Sequence, residues 1–195
     1  AFTPPPPSAT GPSAQEALLR DLNRSREPFV DRYRDSSRSD GRGGFLPDAY
    51  ERMPAWVAVQ ACSFGTLSRC LEASGRTAVR DTVAGRIGTG RTQIASQTRA
   101  LVYLRNRCAH AARIWNHSVL AAPSLTPKTA SRIKRQYRTF ENRSVYQTLV
   151  LIHILLAGNG QEKDWLAARV EPILRDNEIL ARGITRPRKF QDFTP

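Results

Sequence analysis

The chain has 195 residues, of which 40% are apolar, and a mean hydropathy of −0.46, values that are ordinary for a globular protein with a sizeable core. Its most apolar run, residues 145–157, is too short to cross a bilayer, so the pattern excludes a membrane-spanning helix. The net charge of +13 and the pI of about 10.8 are unusual and indicate a polyanionic partner, with nucleic acid as the first candidate and a merely basic, solvated surface as the alternative.

The first half of the chain predicts a tail followed by helices. Residues 1–12 are rich in proline and predict an extended, disordered tail. Ser13 and Glu16 have the spacing of a capping box, which predicts the start of a helix. The next segments are predicted as a polar, glycine-rich loop, a long helix and a shorter helix, over residues 36–44, 48–72 and 77–86.

The second half of the chain predicts further helices and a basic tail. One helical pattern covers residues 92–120, and Thr126 followed by Pro127 predicts the start of another helix. Beyond it we expect a central apolar helix, an amphipathic helix and a basic tail, over residues 144–156, 162–176 and 181–195. Because no convincing strand or repeat is visible, the prediction is an all-α bundle that forms one domain over residues 13–180.

The three cysteines, Cys62, Cys70 and Cys108, lack the paired spacing of a zinc site. Their apolar or helical surroundings predict buried thiols in a reducing compartment. No secretory signal is visible in the sequence. The expected location is therefore the cytoplasm.

The run RNRCAHAARIWN at residues 105–116 concentrates polar side chains that suit an anion. If residues 101–119 form one helix at about 100° per residue, four of these side chains share a narrow stripe apart from an apolar packing face, and Arg105 lies between the two. The stripe consists of Asn106, His110, Arg113 and His117. It contains no acidic residue or lysine, unlike a typical solvated helix face.

These groups have the chemistry needed to cleave RNA. Histidine titrates near neutrality, so His110 can take a proton from a ribose 2′-hydroxyl or give one to the leaving 5′-oxygen. An arginine can neutralise the charge that develops on the phosphate oxygens. No metal is expected, because no ligand set for zinc or acidic cluster for magnesium is visible. His153, inside the apolar run, is predicted to be a satisfied core residue.

The wider pattern resembles a known family. Residues 105–116 are similar to the R-N-x-C-A-H-x-x-R-[IL]-W-N motif of the Abi-like (abortive infection) proteins, which belong to the HEPN superfamily. Upstream, residues 29–33, 54–57 and 63–68 resemble the family's F-[IV]-x-H-Y, P-x-W and S-F-G-x-L-S elements, in the same order. The resemblance covers roughly residues 18–156.

The resemblance implies an α-helical, HEPN-like bundle that acts as a metal-independent endoribonuclease in antiviral defence or a toxin–antitoxin system. It implies a homodimer that needs no cofactor or membrane, with RNA as substrate and a cognate antitoxin or small RNA as a further partner. Arg105 and His110 would be the catalytic pair. The supporting or RNA-binding residues would be Asn106, Arg107, Arg113, Asn116 and His117, and Trp115 would serve packing.

The chain departs from the family pattern in two places. Ala111 follows the motif histidine, where a second histidine is common, and only a proline-rich lead and one short helix precede residues 29–33. Two other interpretations of residues 105–116 stay open. One is a non-catalytic RNA-binding module that grips phosphates without turnover, and the other is an intramolecular hydrogen-bond network.

Overall fold

The computed structural model describes residues 12–75 and 77–187. Within these ranges every regular element is a helix, and the only extended pairing is an isolated bridge between Ser39 and Phe45. The predicted all-α fold is therefore confirmed. The predicted tail over residues 1–12 lies almost wholly outside the described residues, as does the last part of the tail predicted over 181–195.

The described residues group into two compact units, which meet in sequence at residues 75 and 76. The first unit contains α1 (Ala14–Arg24), α2 (Pro28–Asp31), a 3-10 helix (Pro47–Tyr50), α3 (Ala55–Ala61) and α4 (Phe64–Ala73). Its core is formed by Leu22, Val30 and Val57, which come from three different helices. The predicted capping box is confirmed: Ser13 Oγ accepts from the Glu16 amide at 3.2 Å, and Glu16 Oε2 accepts from the Ser13 amide at 2.7 Å.

The prediction of one long helix over residues 48–72 is wrong, because the chain leaves the helical conformation twice. Pro54 has extended dihedrals and precedes α3, since a proline cannot continue the preceding turn. Ser63 is also extended, and its hydroxyl caps α4 by accepting from the Thr66 amide at 3.2 Å. Its own amide donates to Asp21 Oδ2 in α1 at 2.8 Å, which fixes the break in place.

The second unit is built around a central apolar helix. It contains α5 (Ala78–Arg86), α6 (Ile94–Ala109), α7 (Pro127–Gln136), α8 (Val145–Gly158), a π-helical turn (Leu166–Val170), α9 (Glu171–Arg175) and α10 (Glu178–Thr185). The side chains of Tyr146, Val150 and Leu151 in α8 are fully buried, and α8 contacts both α6 and α10. This agrees with the central helix predicted over residues 144–156.

Two predictions in the C-terminal region need correction. The amphipathic helix predicted over residues 162–176 is divided into a π-helical turn and α9, because Pro172 has no amide hydrogen and its ring excludes a regular preceding turn. The basic tail predicted from residue 181 begins too early, because α10 continues to Thr185. Ala181 and Ile184 are buried in the core, and within residues 181–187 only Arg182 and Arg186 are exposed.

A buried ionic cluster ties the loop after α7 to α9. Arg138 makes a bidentate pair with Glu171, with Nη2 donating to Oε2 at 2.6 Å, and the Tyr146 hydroxyl donates to Oε1 at 2.5 Å. Burial, and then the neighbouring Glu171, raise the pKa of Tyr146. The cluster is satisfied internally, so it holds the unit together instead of offering its charges to a ligand.

The cysteine prediction is only partly correct. Cys62 and Cys70 are half-buried, and burial raises the pKa of Cys62 to about 11, so its thiol stays protonated near neutrality. Cys108 is exposed, because it lies on the outer side of the last turn of α6. Among the described residues no helix is both long and apolar enough to cross a bilayer.

Candidate functional site at the end of α6

The end of α6 differs from the prediction. The helix predicted over residues 92–120 stops at Ala109, with His110 as the C-cap residue at φ −99° and ψ 15°. The Ala112 amide donates to the Arg107 carbonyl at 2.8 Å and the Ala111 amide to the Cys108 carbonyl at 3.1 Å. These two bonds form a Schellman motif, which normally places glycine at the position held here by Ala111 at φ +49°.

The early helix end removes the predicted four-residue stripe. Asn106 and His110 keep the i, i+4 spacing that places both side chains on one side of the helix. Arg113 and His117 instead lie in the irregular segment that follows α6. Arg105 precedes His110 by five positions, so at about 100° per residue their directions differ by about 140° around the helix axis.

Arg105 and His110 are both exposed on the last turn of α6. Arg105 Nη1 donates to Asn106 Oδ1 at 2.9 Å, so the half-buried amide orients the guanidinium while leaving most of its donors accessible. The turn therefore presents a guanidinium, an amide and an imidazole to solvent.

Arg107 contacts the backbone of the segment that follows α6. Its Nε and Nη2 donate to the Arg113 carbonyl at 3.0 and 2.5 Å, and its guanidinium lies 5.9 Å from the centre of the Tyr103 ring. Two of its donors are thus used to hold the backbone of the segment after α6. The geometry makes Arg107 a positioning residue for that segment.

His117 is also held by a neighbour in α6. Its Nε2 contacts the Tyr103 hydroxyl, and the two rings stack with an interplanar angle of 8°. Burial is the main factor that lowers the pKa of His117, and the charges of Arg107 and Arg113 lower it further. The neutral imidazole is favoured, as expected for a side chain that positions the segment.

Trp115 and Asn116 fasten the segment to α10, the helix that the sequence did not predict. Trp115 Nε1 donates to the Ile179 carbonyl at 3.0 Å, and the backbone N–H of Asn116 donates to the Gly183 carbonyl at 3.1 Å. A Cβ atom on Gly183 would overlap the Trp115 indole, so this close approach requires glycine. The packing role predicted for Trp115 fits this contact, and a glycine beside apolar residues at helical spacing was the available signal for α10.

Two other polar cavities of the second unit are lined by residues that do not belong to this turn. A cavity of about 340 Å³ is lined by Arg80, Asp81, Arg91 and Thr92. An open groove of about 380 Å³ is lined by Arg138, Thr139, Glu178, Ala181, Arg182, Thr185 and Arg186. In the part of the chain that the structure describes, no group of three or more histidine, cysteine or acidic side chains has the arrangement of a metal site. The core position predicted for His153 is correct, although its Nδ1 has no hydrogen-bond partner among the described residues.

A family model for Abi-like proteins matches residues 8–116, which is more than half of the chain. The chain belongs to the Abi-like protein family. The match ends at Asn116, so it includes the whole turn that presents Arg105 and His110, and the resemblance expected from the motifs is confirmed. Helices α7 to α10 lie beyond the region matched to Abi-like proteins. No curated protein and no solved structure matches the chain.

Proposed function

We propose that this Abi-like protein is a metal-independent endoribonuclease of bacterial antiphage abortive infection or of a toxin–antitoxin system, acting in the cytoplasm. The proposal rests on the different environments of the cationic and imidazole side chains at the end of α6. Arg107 and His117 are engaged in holding the following segment, whereas Arg105 and His110 are exposed on the turn. A rigid turn that displays a titratable imidazole and a guanidinium suits phosphodiester cleavage.

In the proposed reaction the ribose 2′-oxygen attacks the adjacent phosphorus as the bond to the 5′-oxygen breaks. A neutral His110 imidazole takes the 2′-hydroxyl proton, and a protonated one gives a proton to the leaving 5′-oxygen. Arg105 neutralises the charge that develops on the non-bridging oxygens. The products are a 2′,3′-cyclic phosphate and a 5′-hydroxyl, so no water or cofactor is consumed in this step.

The divergence of about 140° between Arg105 and His110 bears on how many chains act together. Side chains that leave a helix in such different directions do not converge easily on one phosphate. Two copies that pack with these turns facing each other would bring one chain's Arg105 and the other's His110 together. The geometry thus favours the homodimer that the family resemblance implies.

The test uses purified wild type, His110→Ala and the matched control Cys108→Ser, which changes another exposed side chain of the same turn. Each is incubated with labelled total RNA in excess EDTA, and the cleaved ends are mapped. We expect wild type and Cys108→Ser to leave 2′,3′-cyclic phosphates, and His110→Ala to lose about 10²- to 10⁴-fold in rate. Undiminished EDTA-resistant cleavage by His110→Ala would contradict the proposal.

The second candidate is a non-catalytic RNA-binding module, held in complex with a cognate small RNA or antitoxin. The wide angle between Arg105 and His110 within one chain favours it, because separated cations can grip phosphates without assembling a reaction centre. In that case labelled RNA is recovered intact by wild type, and its affinity falls steeply with salt.

A further inference from the structure

Helix α7 exposes a line of cations that the cleavage mechanism does not use. Lys128, Arg132 and Arg135 are all exposed, and their spacing of i, i+4 and i+7 places them within about 60° of each other around the helix axis. The line extends for roughly 10 Å along the helix. Helix α7 contains no acidic residue. We call these three residues the α7 stripe.

The α7 stripe differs from those arginines of the chain that are paired with a carboxylate. Elsewhere in the described ranges Arg34, Arg91 and Arg169 each lie within 4 Å of a carboxylate, at 2.7, 3.8 and 3.7 Å. No hydrogen bond or ion pair from a described residue engages the three side chains of the stripe. The charges are therefore available to an external partner.

This arrangement works against the stability of α7 itself. Like charges at i, i+3 and i, i+4 repel each other on a helix surface. Lys128 also stands in the first turn, where the helix dipole disfavours a cation. An acidic side chain at position 128 or 132 would favour the helix, whereas the helix dipole favours the cation at position 135 in the last turn. The two unfavourable positions indicate that the cations serve binding.

The side chains around the stripe restrict what the partner can be. The large apolar residue of α7, Ile133, is buried, and no exposed large apolar side chain lies on the helix. A protein partner normally needs apolar or aromatic anchors at the centre of the interface. A membrane-surface helix needs an exposed apolar face. A regularly charged polyanion needs neither.

We propose that the α7 stripe binds the phosphate backbone of single-stranded RNA and holds the substrate while the turn at the end of α6 cleaves it. This rests on the proposed function for the choice of RNA, but it assigns a separate surface. The stripe lies beyond residues 8–116, so the family match does not include it. Each phosphate neutralised on a single strand contributes about 0.7 to the dependence of log affinity on log salt, and three contacts contribute about 2.

The experiment measures RNA binding by the full chain in a His110→Ala background, so that the probe stays intact. The probe is a 5′-labelled, mixed-sequence RNA of about 30 nucleotides, followed by fluorescence anisotropy between about 50 and 200 mM salt. The stripe variant carries Lys128→Gln, Arg132→Gln and Arg135→Gln. The control variant carries Lys163→Gln, Arg169→Gln and Arg175→Gln, which removes one lysine and two arginines that are also exposed in the second unit.

In the stripe variant we expect the slope of log affinity against log salt to be shallower by about 2. Between the lowest and the highest salt, the affinity of the parent should therefore fall by roughly 20-fold more than the affinity of the stripe variant. The control variant should behave like the parent. A further variant, Arg132→Lys with Arg135→Lys, keeps the charge and should keep the slope. If the lysine variant keeps the slope and the glutamine variants keep the circular dichroism spectrum of the parent, the change in the stripe variant is due to lost phosphate contacts and not to misfolding.

Several outcomes overturn the proposal. Equal losses in the stripe and control variants would mean that net charge alone drives binding. A parent that binds anionic phospholipid vesicles or polyglutamate, and not RNA, would assign the stripe to another partner. Cleavage is scored separately in chains with His110 intact. In those chains the stripe variant should have a higher KM and an unchanged kcat. An unchanged KM contradicts the docking proposal, whereas absence of cleavage by the parent contradicts the nuclease proposal, so the two failures are distinguishable.

Discussion

The end of α6 and the exposed side of α7 are both rich in arginine, yet the contacts of their side chains differ. On α6 the Arg107 guanidinium donates two hydrogen bonds to a backbone carbonyl, whereas Arg105, two positions earlier, leaves most of its donors exposed to solvent. On α7 the cations of the stripe make no such contact within the described part of the chain. Residue type alone therefore does not tell whether an arginine positions the backbone or is available to a ligand. The hydrogen-bond acceptor that each arginine contacts makes this distinction.

The largest stability effect that tests this comparison comes from the two neighbouring arginines of α6. Arg107→Ala removes two charge-assisted hydrogen bonds to the Arg113 carbonyl and should cost about 1–2 kcal/mol of unfolding free energy. Arg105→Ala should change stability by less than about 0.5 kcal/mol while lowering cleavage, because its side chain is exposed. Urea denaturation of both variants measures the difference. Equal destabilisation would abolish the distinction between the two arginines.

The parts of the fold that could be predicted are those encoded by local chemistry. Ser13 and Thr126 each precede a helix and accept from an amide three residues later, as the sequence pattern predicts. Ser63 offers the same signal, but it lies inside an apolar pattern of helical period, which predicted a continuous helix. Periodicity reports which side chains are apolar and does not report where a cap interrupts them.

The site was predictable in part for the same reason. Residues 105–116 were identified from side-chain chemistry and family resemblance. They were expected inside one helix over residues 92–120, whereas α6 ends at Ala109 and the later residues are irregular. The roles of Arg107 and His117 were not predictable, because the Arg113 carbonyl and the Tyr103 hydroxyl reach them only after the chain turns at Ala111. An alanine gives no sequence signal for a left-handed residue, since glycine normally holds that position.

That left-handed alanine provides a second, smaller test at the end of α6. Ala111→Gly relieves the crowding of Cβ at φ +49° and should stabilise the chain by about 1 kcal/mol. The matched control, Ala109→Gly, places glycine in the last helical turn and should cost roughly 0.5–1 kcal/mol. The two substitutions are chemically identical and lie two residues apart. The same sign in urea denaturation would contradict the Schellman ending and, with it, the path that brings Arg113 to Arg107.

The smallest expected effect is on the unfolding free energy of the stripe variant of α7, and the sign of this change is the informative result. Replacing the α7 stripe with glutamine removes two like-charge pairs, each worth about 0.2–0.5 kcal/mol, while helix propensity stays nearly constant. The helix dipole disfavours the cation of Lys128 in the first turn and favours that of Arg135 in the last turn, so these two contributions roughly cancel when both are replaced. The stripe variant should therefore be more stable than wild type by about 0.5 kcal/mol at low salt. The gain should disappear in high salt, because it is electrostatic. Urea denaturation at two salt concentrations measures it. A loss of about 1 kcal/mol or more would show that these cations hold α7 in place as Arg107 holds the segment after α6, and the contrast between the two helices would then fail.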